Sequence, residues 1–160
     1  MPVLPNLPAC FLTKAADEGF TKQAGREVFK MQNPYDKYRN NAIFTATPED
    51  LTLMLYEGAL KFCNQALVAL ENKDIAKTNE LIVKVQNIVR EFQITLDMKY
   101  EISEQLNTMY DYLYQRLVEA NIKKDAEILT EVRDHLRGFR DTWKEAIKLA
   151  RQKAPAAAVR

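Results

Sequence analysis

The chain has 160 residues, with 23 lysines and arginines against 22 aspartates and glutamates, one histidine and a formal net charge of +1. That length suits one domain with a sizeable core and leaves no room for a second catalytic unit, and interspersed charge without basic excess excludes a dedicated nucleic-acid binder. Cys10 and Cys63 lack metal-ligand spacing and suit a reducing cytosol, no apolar run reaches the roughly 18 residues of a stable membrane insertion, and secretion through a cleaved signal is not expected, because no early basic patch leads into an unbroken apolar stretch.

Residues 1–32 carry Pro2, Pro5, Pro8, Gly19 and Gly25, which cut any helix into fragments too short to stand alone. A disordered extension is expected there, and Met31 is an alternative start that would make the preceding residues an upstream extension. Residues 33–46 read as an N-terminal arm, in which Tyr35 and Tyr38 are spaced like a single turn beside Pro34. Such a short apolar segment is not stable in water by itself, so docking of the arm is expected.

A first helix is expected over Pro48–Glu71, opened by Thr47 as N-cap, Pro48 at the first helical position and Asp50 as the capping acid. It carries two apolar stripes, Leu51, Leu55, Gly58, Phe62 and Ala66 in one, Leu53, Tyr56, Leu60 and Leu67 in the other. One stripe suffices for a bundle core; the second suits either another neighbouring helix or a groove for an apolar partner segment. After the joint Asn72–Asp74, a second helix capped by Asp74 shows Leu81, Ile82, Val85, Ile88, Val89, Phe92 and Leu96 on a clean face and ends near Asp97–Lys99. A third, about 101–121, turns Ile102, Leu106, Met109, Leu113, Leu117 and Ala120 inward, with Tyr110, Tyr112 and Tyr114 around them. A fourth, about 126–151, shows Ile128, Val132, Phe139, Trp143 and Ile147, and residues 152–160 read as a disordered, alanine-rich tail. Joints this short make successive helices antiparallel, so the fold class is all-α: an up-down-up-down four-helix bundle over residues 47–151.

Catalytic constellations are lacking. His135 is the single histidine, so two-histidine zinc, Glu-x-x-His di-iron and Cys-His nucleophile systems are all incomplete, and no glycine-rich phosphate loop is present. The carboxylates of Glu80, Glu91, Glu101, Glu104, Glu119 and Glu131 fall mostly among polar positions, as solvated faces do. Neither an enzyme, a metal nor a cofactor is expected. One alternative is a histidine phosphotransfer bundle using His135, suggested by His135-Leu136-Arg137-Gly138. Its spacing is wrong, because Arg137, two positions on, points roughly 200° away around the helix. Gly58 and Gly138 each cost about 1 kcal/mol relative to alanine inside a helix, and close helix packing is the expected reason at both. Phe139 and Trp143, four apart on one face, are expected to close the end of the core.

Several separated motifs carry a resemblance: Asn33-Pro34-Tyr35 with Tyr38; Thr45-Ala46-Thr47-Pro48 through Leu53-Met54-Leu55-Tyr56 and Gly58; Tyr110-Asp111-Tyr112 with Arg116-Leu117 and Ala120-Asn121; and Phe139-Arg140-Asp141 with Trp143. Through them the chain from about Asn33 to Arg151 resembles the FliS family of flagellar secretion chaperones, with the first 30 residues outside the likeness. The resemblance implies a helical bundle in the cytosol that binds the disordered C-terminal region of flagellin. It would cover that region's polymerising stripe and deliver it to the flagellar type III export gate. It also places flagellin grooves along the first helix and its neighbours, with Leu53, Tyr56, Leu60, Tyr110, Tyr114 and Leu117 as candidate contacts. For the aliphatic members a core position is the equal alternative, while the tyrosines lean to groove or rim because each hydroxyl wants water or a partner. Tyr35 and Tyr38 look like a contact to the export gate protein FlhA, with local packing of the arm as the competing reading. A helical adaptor with another client is the remaining alternative.

Overall fold

A computed structural model describes residues 46–153. The expectations for residues 1–45, including Tyr35 and Tyr38, and for the tail beyond Lys153 lie outside them. Four helices follow one another: α1 (Pro48–Glu71), α2 (Ile75–Thr95), α3 (Glu101–Lys123) and α4 (Ala126–Lys153), and no strand occurs among the described residues.

Local chemistry fixes the ends. Thr47 has an extended backbone, and its hydroxyl oxygen accepts from the Asp50 backbone N–H at 3.2 Å. The same hydroxyl donates to the Asp50 carboxylate at 2.9 Å, so this acid grips the capping side chain rather than its backbone. Asp74 accepts from the Lys77 N–H at 3.0 Å, and Asp125 accepts from the N–H of Glu127 at 2.8 Å. At the joints, Lys73 (φ 58°) and Lys124 (φ 52°) take the left-handed conformation. At Lys124 the cost is offset by backbone and side-chain bonds: its N–H reaches the Ala120 carbonyl and its ammonium the Asn121 carbonyl.

The helices form a closed ring in which each packs on its chain neighbours and α1 also packs on α4; the α3–α4 seam is the least extensive. The centre is filled by Ile82, Val85 and Val89 from α2, Leu113 and Leu117 from α3, and Leu129, Val132 and Leu136 from α4, all fully buried or within 2 % of it. Facing them, α1 contributes the small residues Ala59, Cys63 and Ala66, which let its backbone approach its neighbours closely. Gly58 is buried on that helix, in line with close packing. Gly138 is different: it is exposed, and a Cβ built on it would meet nothing within 4 Å. The expectation of close packing there is therefore corrected, and its cost is not repaid by a neighbour.

The double apolar character of α1 has a structural explanation, since the helix has neighbours on two sides. Tyr56 and Leu60 from its second stripe are as buried as Phe62 and Ala66 from its first. What remains lies at the two ends of the helix: Leu51, Leu53, Met54 and Leu55 in the first two turns are only half-buried, as are Leu67 and Leu70 near the C-terminus, where Val68 is exposed.

Candidate client groove

Below those turns lies an aromatic cluster that organises the bundle's interior. Tyr56 stacks on Phe92 with centroids 4.4 Å apart, Phe92 on Tyr110 at 5.4 Å, and Phe139 leans on Tyr110 at 5.7 Å. Inside this cluster the hydroxyls of Tyr56 and Tyr110 meet at 2.6 Å. One phenol donates and the other accepts, and both side chains are almost wholly buried. Burial raises Tyr56 well above 10.0, the charge and hydrogen bond of Tyr110 adding to it, and burial raises Tyr110 to about 12.

Of the six residues singled out as client contacts, the structure places Tyr56, Leu60, Tyr110 and Leu117 in the core and leaves Leu53 and Tyr114 half-buried at the surface. It brings Tyr56 and Tyr110 into direct contact and sets the two accessible residues on opposite seams. Tyr114 is held on the α2–α3 side, where the Arg90 guanidinium lies 4.7 Å from its ring centroid and donates to its hydroxyl at 3.3 Å.

Leu53 belongs to a cleft of about 520 Å³ between the start of α1 and the end of α4, lined by Asp50, Leu53, Lys144, Ile147, Lys148, Arg151 and Gln152. The α4 residues fall at helical spacing, so one face of the helix forms one whole wall. Trp143 secures the neighbouring turn: its indole N–H donates to the Glu49 carbonyl at 3.0 Å. One guanidinium nitrogen of Arg151 donates to both carboxylate oxygens of Asp50, at 2.7 and 2.8 Å, and Lys144 pairs with Glu57 at 3.4 Å. The volume lies in the range of ordinary ligand sites. Ile147, Lys148 and Arg151 were not among the sequence candidates; their signal is the continuation of the Phe139, Trp143, Ile147 face to the very end of α4.

The family model described as flagellar protein FliS matches residues 31–150. The chain belongs to the FliS family. A Bacillus subtilis (strain 168) protein named flagellar secretion chaperone FliS is 49 % identical over 122 residues, covering 76 % of this chain and 92 % of that protein. Proteins of the same name from Salmonella typhimurium and Campylobacter jejuni are 32 % and 33 % identical, covering 66 % and 72 % of this chain and 80 % and 93 % of their own lengths. All four helices of this FliS family member lie within the matched span apart from the last residues of α4.

This family assignment leaves the phosphotransfer alternative without support. His135 is exposed on α4, with its ring edge-on to Tyr112 at 6.2 Å. Around it runs an ion-pair chain: Tyr112 donates to Glu131, Arg116 bonds both Glu131 and Glu119, and Lys123 pairs with Glu119. The hydrogen bonds from Arg116 and then Tyr112 hold Glu131 below the usual carboxylate range. The bonds from Tyr112 and Arg116 to Glu131 tie α3 to α4, and those to Glu119 lie within α3. Among the described residues no helix is long and apolar enough to cross a membrane.

Proposed function

We propose that this FliS family member binds the disordered C-terminal region of flagellin in the cytosol, keeps it from polymerising prematurely, and hands it to the flagellar export gate, where FlhA is the expected contact. On this reading it acts by binding alone and carries out no catalysis. The observation that carries the proposal is the apolar row that half-buried Leu53 from α1 and Ile147 from α4 form in the walls of the α1–α4 cleft. A chain that must cover a partner's apolar stripe needs such a row, and coupled folding of the client would bury a large surface, on the order of 1,000 to 3,000 Å², for moderate net affinity. Within it, Leu53 is the contact on the cleft side and Tyr114 marks a second seam for a wrapping segment, while Tyr56, Leu60, Tyr110 and Leu117 support the groove from inside.

Isothermal titration with the C-terminal region of the same organism's flagellin tests this. Saturable one-to-one binding with a large negative heat-capacity change is the expected result. Leu53→Asp should weaken it while circular dichroism stays helical. No heat at high concentration would refute the proposal.

A further inference from the structure

The two ion pairs that span the α1–α4 cleft share one antiparallel register. Asp50 faces Arg151 and Glu57 faces Lys144, and on each helix the two partners are separated by two turns. One turn in from either pair, α4 presents Lys148, exposed at the rim of the cleft, and α1 presents Leu53 in its wall. The seam is therefore a ladder of three cations on α4 answered by two carboxylates on α1. Its middle rung is open, with an aliphatic side chain where an acid would stand. Among the described residues Lys148 has no carboxylate partner, and Leu53 and Ile147 lie in the cleft beside it.

We infer that this rung selects the client: the segment seated in the cleft is an amphipathic helix that places an aliphatic side chain on Leu53 and Ile147 and a carboxylate, one helical turn away, on Lys148. The inference rests on the chaperone reading and adds to it a charge rule. Two features of the cleft carry it. A wall of aliphatic side-chain atoms takes an apolar anchor by excluding water. The unanswered ammonium at its rim favours a complementary charge at one position, which fixes register and direction along the cleft more than it adds affinity. Arg151 and Lys144 do not serve the same purpose, since each already has its acid on α1.

The test uses the full chain and the flagellin C-terminal segment, by titration calorimetry. Lys148→Ala should raise Kd about three- to fivefold, the worth of a partly exposed pair, and Lys148→Glu about tenfold or more, because a like charge then meets the client. Both differences should shrink at high ionic strength. Lys73→Glu, in the exposed α1–α2 joint at the other end of the bundle, should bind as the unaltered protein does. Carbodiimide coupling of the complex should then join Lys148 to one client acid, and replacing that acid by lysine should restore binding to the Lys148→Glu variant. If the unaltered protein binds the segment and both Lys148 variants bind it equally well, the charge rule is overturned and the chaperone reading stands. If the unaltered protein does not bind, both fall. Coupling of Lys148 to an acid within residues 1–45, or to a second copy of the chain, would give the rung to that occupant and overturn the inference.

Discussion

Removing one hydroxyl from the buried tyrosine pair should destabilise the protein, and removing both should not. In Tyr56→Phe, the Tyr110 hydroxyl loses its partner at 2.6 Å while its side chain stays buried among Phe92 and Phe139. An unsatisfied buried donor or acceptor costs about 1 to 3 kcal/mol, and Tyr110→Phe should cost the same for the mirror-image reason. Tyr56→Phe with Tyr110→Phe removes both polar groups and keeps ring packing, so its net effect should be within about 1 kcal/mol of zero. Urea unfolding followed by circular dichroism measures all four corners of the cycle. The expected interaction energy is about 2 to 6 kcal/mol in magnitude, the two single losses less a double loss near zero, far from additivity. Additive single effects would refute the claim that the two hydroxyls satisfy only each other. The pair also sets an alkaline limit. Burial favours the protonated form of both phenols in the fold, whereas unfolded tyrosine ionises near pH 10, so this stabilisation is fully present below pH 10 and falls as pH rises above it, the Tyr110 share being lost through about 12. The double phenylalanine variant should show a flatter alkaline limb.

Three further outcomes are expected. Gly138→Ala should stabilise the protein by about 0.5 to 1 kcal/mol in urea, since the position is helical, exposed and open where the methyl would go; destabilisation would mean a neighbour closes on it. Glu91 has one carboxylate oxygen buried without a hydrogen-bond partner among the described residues, and burial raises its pKa above 4.5. The fold thus favours its protonated form, its contribution is best below pH 4.5 and worsens as pH rises through the raised value, and Glu91→Gln should stabilise at pH 7 but not at pH 4, by under about 1 kcal/mol given partial exposure. Cys63 is fully buried and its thiol is pushed up to about 12 by that burial, so it should resist alkylation in the native protein and react once denaturant is added, as peptide mass mapping would show.

The helix boundaries were legible because they are written in local chemistry. Thr47 and Asp74 cap where side-chain oxygens can reach the third N–H, and Pro48 takes the first helical position with its φ already set, and this requires no knowledge of neighbours. The α2 face from Leu81 to Leu96 was equally legible, since one helix meeting one core leaves a clean period. The groove was harder. Tyr56 and Tyr110 leaned toward the rim on the argument that a phenol needs water or a partner, and the partner proved to be a second buried phenol from a helix two elements away. Periodicity within one helix cannot show that. For the same reason Lys144, Lys148 and Arg151 carry no mark of a site in the sequence; only their register against Asp50, Leu53 and Glu57 makes them the wall of a cleft. Gly138 misled because a glycine inside a helix suggests a close neighbour, and an exposed face carries no mark in the sequence to contradict it.

The tyrosine pair also bears on descent. Neither phenol can drift to phenylalanine alone without crossing a destabilised intermediate, yet the end state with two phenylalanines is as fit for the core as the present one. Positions 56 and 110 should therefore change together: lineages of this family should hold both hydroxyls or neither, and any mixed sequence should carry a third polar residue nearby that answers the widowed one.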